Sequence, residues 1–249
     1  MIAHLRSLFF TFIFFGILES VIFFELLDGK NGPFWVGFLI IFAIFAGWSV
    51  GKNILYSFLL FSLAISSLGL LYFIDDIREK QIFSLLVSAL FYMALLGIKR
   101  IRKNAFDMTA RSLFSASLIA IMFLFYAVVY GLYINFNIPL GLFIGVHFIF
   151  VTIITFVSLR AYSSDYRRIF LYSVVIAFAM IQFVWLANFW PFGYLTMATI
   201  SLMFYYILWD LVQMVFLKIL SKKRIVITIL YCVILILSVL FTTQWLLVG

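Results

Sequence analysis

The chain has 249 residues, 67% of them hydrophobic and only 10% charged, with a formal net charge of +8. A soluble domain carries about 25% charged residues, so the composition excludes a water-soluble globular protein. The basic excess reads as a membrane topology signal rather than a nucleic-acid footprint.

Apolar runs of about 20 residues cross the hydrocarbon core as helices. These runs are continuous rather than alternating, which excludes a β-barrel. The sequence predicts nine spans, at 7–27, 34–50, 54–74, 81–98, 112–134, 140–159, 169–189, 195–217 and 225–246. The fold class is therefore an all-α, polytopic transmembrane helix bundle, a single integral membrane domain over residues 1–249. The first span follows Arg6, runs too far for a signal-peptide core and lacks a small-x-small cleavage site, so it reads as a retained anchor.

The connecting segments alternate in charge. Arg6, Lys52, the cluster Lys99, Arg100, Arg102, Lys103 and Arg111, then Arg160, Arg167 and Arg168, and finally Lys218, Lys222, Lys223 and Arg224 fall on one side. Only Lys30, Arg78 and Lys80 fall on the other. Basic residues in short loops mark the cytoplasmic side, which places the N-terminus inside and the C-terminus outside. Trp35, Trp185, Trp190, Tyr194 and Trp245 then lie near the outer boundary and Trp48 near the inner one, where amphipathic rings settle. The basic loop Lys99–Lys103 is explained as a topology signal, with anionic headgroups as a further contact.

The three prolines, Pro33, Pro139 and Pro191, each stand where a helix re-enters from outside, a place that suits a residue without an N–H. The turns Asn135–Gly141 and Asn188–Gly193 look alike. Tyr72 followed by Phe91-Tyr92 has the same spacing as Trp185 followed by Phe204-Tyr205. These echoes suggest a 4+4+1 parallel repeat, with halves 1–104 and 105–224 and a final helix 225–249. Turn chemistry and interfacial aromatics explain the same features without duplication. Small residues at Ala43, Gly47 and Gly51, and at Gly141 and Gly145, form stripes that allow close helix packing; packing within the chain is the preferred use.

Polar groups inside the spans are the places to look for function. They are Glu19 in the first span, His147 in the sixth, Gln182 in the seventh and Asp210 in the eighth. At about 1.5 Å per residue, Glu19, His147 and Gln182 each lie roughly 12 Å inside the outer helix ends. A carboxylate at a helix centre costs about 2.5–3.5 kcal/mol on insertion scales, so a partner or a proton must satisfy it. One use of such groups is a proton-coupled site or a polar substrate pocket; the plainer use is an interhelical hydrogen bond. Asp210 lies nearer the inner face, within reach of Lys218 or Gln213. No catalytic motif, Walker loop or paired magnesium-binding aspartates occur. Two histidines and the single Cys232 cannot build a metal centre, so neither a cofactor nor a metal is expected.

The stretch Trp185–Thr196, followed by Phe204-Tyr205-Tyr206, resembles a pattern in multi-spanning membrane proteins of bacteria with reduced genomes, over the last third of the chain. That group has no assigned activity; the resemblance implies a bacterial inner membrane and no mechanism. Three readings of function follow, in this order. The first is a non-catalytic subunit, scaffold or assembly factor whose partners are the lipid bilayer and other membrane proteins or a second copy. The second is a small secondary transporter, proton-coupled through Glu19 and His147. The third is an intramembrane enzyme acting on a lipid-linked substrate near Asp210; the missing second carboxylate or nucleophile weighs against it.

Overall fold

A computed structural model describes residues 2–27, 32–104, 107–163 and 165–243. Among them are nine α-helices and no strand: α1 (Ile2–Leu27), α2 (Gly32–Gly51), α3 (Ile54–Leu71), α4 (Ile77–Lys103), α5 (Met108–Phe136), α6 (Leu140–Leu159), α7 (Tyr166–Ala187), α8 (Tyr194–Phe216) and α9 (Lys222–Thr242). Each is long and apolar enough to cross a membrane. The protein is an integral membrane protein with a polytopic helical fold.

Helix ends follow capping chemistry more than hydropathy. Asp76 accepts the Arg78 N–H at 2.9 Å and starts α4 four residues before the predicted span. Asp107 accepts from Thr109 and Ala110 and does the same for α5. A carboxylate there satisfies N–H groups that the helix leaves unpaired. Conversely, α3 stops at Leu71, short of the predicted residue 74, and Phe73 and Ile74 close a turn onto Leu70 and Leu71. Lys52, Asn137 and Lys218 leave α2, α5 and α8 in the left-handed region, with φ of 50°, 47° and 56°. Pro33 lies in the first turn of α2 and Pro139 at the cap of α6, whereas Pro191 sits three residues ahead of α8, in a turn closed by Phe192 N–H to the Trp190 carbonyl. Trp245 lies outside the described residues.

The chain divides into two compact units, Met1–Leu124 and Phe125–Gly249, with the division inside α5. In the first unit, α2 packs closely on α3, and α1 lies against α2 and α4. The Phe14 and Phe91 rings stack at 4.1 Å between α1 and α4, while Phe10 meets Phe42 and Phe45 edge-on. Of the two small-residue stripes, the first fits a close helix contact. A Cβ on Gly47 would stand 2.6 Å from the Ser57 Cα, and one on Gly51 would meet the Tyr56 ring. A Cβ on Gly141 or Gly145 would meet nothing within 4 Å, so that stripe is open.

In the second unit α6 packs on α7, α7 on α8, and α8 on α9. The Phe125 and Phe150 rings stack at 3.6 Å between α5 and α6, and Phe183 and Phe204 at 3.9 Å between α7 and α8. α9 is the least covered helix: of its residues, Cys232 alone is buried.

Candidate functional site

A polar side chain inside the hydrocarbon layer needs a partner because water is absent. In the first unit, Glu19 is half-buried on α1 and accepts a hydrogen bond from the Ser84 hydroxyl of α4 at 2.5 Å. Ser84 is fully buried. The bond ties the two helices that Phe14 and Phe91 already pack together.

His147 belongs to the second unit and is fully buried. Its Nδ1 lies 2.9 Å from the Phe143 carbonyl one turn earlier on α6. The imidazole is ringed by Phe125, Tyr126, Tyr130 and Phe143, with centroids at 5.3, 5.6, 5.8 and 4.5 Å. Among the described residues its Nε2 has no hydrogen-bond partner, and neither does the hydroxyl of the buried Tyr126 stacked beside it. Glu19 and His147, matched by depth in the sequence, thus fall in different units, and each has a contact within its own.

Asp210 is half-buried on α8 and accepts from the Thr228 hydroxyl of α9 at 3.1 Å. That threonine takes the place in which Lys218 or Gln213 was expected. Gln182 behaves differently from the other three. It is exposed on α7, within a stripe of exposed apolar side chains that includes Val175, Phe178 and Trp185. Among the described residues its carboxamide makes no hydrogen bond.

A set of polar residues that sequence reading missed runs along one face of α8. Ser201, Tyr205 and Trp209 recur every four residues, so they share a face. The Tyr130 hydroxyl of α5 meets the Ser201 hydroxyl at 2.9 Å. The Tyr205 hydroxyl meets that of Thr155 on α6 at 3.2 Å, and the Trp209 indole N–H donates to the Ser158 hydroxyl. All of these residues are buried. The spacing of three hydrogen-bonding side chains at i, i+4 and i+8 was the available signal.

Tyr130 also lines a half-open cleft of about 470 Å³ with Tyr133, Asn135, Asn188 and Trp190, at the helix ends poor in basic residues. Among the described residues no group of three or more His, Cys, Asp or Glu side chains is placed to hold a metal ion. The chain matches no family model, no curated protein and no solved structure.

Proposed function

We propose that this protein is a non-catalytic scaffold or subunit of the bilayer, in a bacterial inner membrane, that binds another membrane helix through the outer face of α7. The observation that carries this reading is Gln182, an exposed amide at membrane depth that has no hydrogen-bond partner among the described residues. An amide both donates and accepts, so a partner helix with a polar side chain, or the same amide of a second copy, would satisfy it. Two of the other intramembrane polar groups support a structural role, since Glu19 and Asp210 are each engaged by a hydroxyl on a neighbouring helix.

The test is a photo-crosslinker at Phe178, one turn from Gln182, in native membranes. We expect a protein adduct, either with a second copy or with another membrane protein. Interhelical hydrogen bonds in membranes average about 0.6 kcal/mol and reach about 1.7, so Gln182→Leu should lower that adduct roughly three- to twentyfold. Adducts to lipid alone, from a protein that is monomeric at native density, would overturn the reading.

A secondary transporter is the second reading, supported by the two unpartnered buried atoms, His147 Nε2 and the Tyr126 hydroxyl, beside the cleft-lining Tyr130. The two readings differ in what His147→Leu does. It removes an unsatisfied buried nitrogen, which offsets the loss of the Nδ1 bond to the Phe143 carbonyl and of the four ring contacts, so stability should change by about 1 kcal/mol. On the scaffold reading nothing else is lost. On the transporter reading, pH-dependent uptake into proteoliposomes disappears while the thermal midpoint stays.

A further inference from the structure

At the basic end of the first unit, a cleft of about 720 Å³ collects Arg6 of α1, Lys52 of the α2–α3 turn, and Lys99, Arg100, Arg102 and Lys103 of α4. One carboxylate, Asp107, shares it. That carboxylate already accepts from the first N–H groups of α5. A topology signal requires cations in loops near the membrane. It does not require that three separate elements bring them into one concavity.

The cleft is also built. The Arg6 guanidinium donates to the Ser49 hydroxyl and lies 5.5 Å above the Phe10 ring, fastening α1 to the end of α2. Arg102 donates to the Val50 carbonyl at 2.9 Å and fastens α4 to the same end. The Lys52 backbone turns through the left-handed region at that point, with its N–H bound to the Trp48 carbonyl. With the walls held in this way, three cations are left over. Among the described residues the side chains of Lys52, Arg100 and Lys103 make no hydrogen bond or ion pair. Arg6 and Arg102 also stand close enough to act on the charge of Lys99. The carbonyl end of α4 offsets part of this repulsion within its last turn, but Arg6, Lys52 and Lys99 lie outside that turn. On the basic side of the second unit, by comparison, a cleft holds two cations, Arg168 and Lys218, and Arg168 is paired there with Asp165 at 3.2 Å.

We infer that this cleft binds a phosphate group, with Lys52, Arg100 and Lys103 as its ligands and Arg6 and Arg102 as the posts that position them. Phosphate suits the site because guanidinium and ammonium groups donate to its oxygens without needing an acceptor in return. The phosphate belongs either to an anionic lipid headgroup, for which Leu96 and Val50 offer an apolar edge, or to a soluble phosphate compound.

Two arms separate these sources in the full chain reconstituted in nanodiscs. In one, discs contain phosphatidylcholine with or without phosphatidylglycerol, and native mass spectrometry counts retained lipid. In the other, phosphatidylcholine discs are titrated with inorganic pyrophosphate and followed by tryptophan fluorescence, to which Trp48, the chain neighbour of the cleft-lining Ser49, contributes. Saturable binding in either arm is the expected result and identifies the source. Charged hydrogen bonds of this kind make Lys52→Gln/Arg100→Gln/Lys103→Gln weaken binding by about tenfold or more. Arg167→Gln/Lys222→Gln/Lys223→Gln removes the same charge elsewhere and should leave affinity within about twofold. Lys52→Gln alone, at an exposed turn, should weaken binding in the same direction if the triple variant does not fold. No saturable binding in either arm, or equal losses in both triple variants, overturns the inference.

Discussion

Gly47→Val is expected to cost about 3 kcal/mol, at the upper end of overpacking penalties. The cost arises because α2 and α3 touch through backbone. A Cβ at position 47 would lie 2.6 Å from the Ser57 Cα and 2.9 Å from the Tyr56 carbonyl oxygen. Neither atom can swing aside as a side chain can, so the helices must separate. Separation forfeits the dispersion contacts of the whole seam, and in lipid those contacts replace the hydrophobic drive that water would supply. It also withdraws the α2 end from Arg6 and Arg102, which hold it by Ser49 and Val50. The thermal midpoint in a mild detergent reads the loss, and Gly141→Val is the control. A Cβ at Gly141 meets nothing within 4 Å, so that variant should stay within about 0.5 kcal/mol of the parent. Equal destabilisation by both would mean that β-branching in the helix, rather than the seam, sets the effect.

The nine helices were legible because lipid leaves the chain little choice: every peptide group must bond within its own helix, so each apolar run declares a span. Their ends were less legible. Hydropathy marks where a helix leaves the hydrocarbon, whereas Asp76 and Asp107 mark where its first N–H groups find an acceptor. Those two boundaries differ by about a turn. The polar residues show the same limit. Depth along a helix axis follows from counting, and on that basis Glu19 and His147 looked like partners. Contact also depends on which face each side chain occupies and which helix lies opposite. Ser84 supplies the donor to Glu19 in the first unit. Serine is frequent in these spans, and nothing in the local sequence singles out Ser84. Gln182 was found by type alone, and its outward orientation needed the packing of α7. The face of α8 was within reach of the sequence, because Ser201, Tyr205 and Trp209 repeat at helical spacing, but its partners Tyr130, Thr155 and Ser158 come from two other helices.

Along that face, Tyr205→Ala should be the most damaging single change in the second unit, costing about 3–5 kcal/mol, as removal of a buried aromatic ring does. Tyr205 is 2% exposed and is the middle of the three rungs. Its loss leaves a ring-sized void between α6 and α8 and an unpaired Thr155 hydroxyl in a layer without water. Tyr205→Phe separates the two contributions. It keeps the ring and deletes only the hydroxyl, and interhelical hydrogen bonds in membranes average about 0.6 kcal/mol. We therefore expect the phenylalanine variant to lose less than about 1.5 kcal/mol in reversible unfolding from mixed micelles. A double variant with Thr155→Val should lose no more than Tyr205→Phe alone, since both ends of one bond are then gone. If Tyr205→Phe instead falls as far as Tyr205→Ala, polar pairing rather than packing fastens α8 to α6. In that case Tyr130→Phe, which unpairs Ser201 on the next rung, should be comparably damaging.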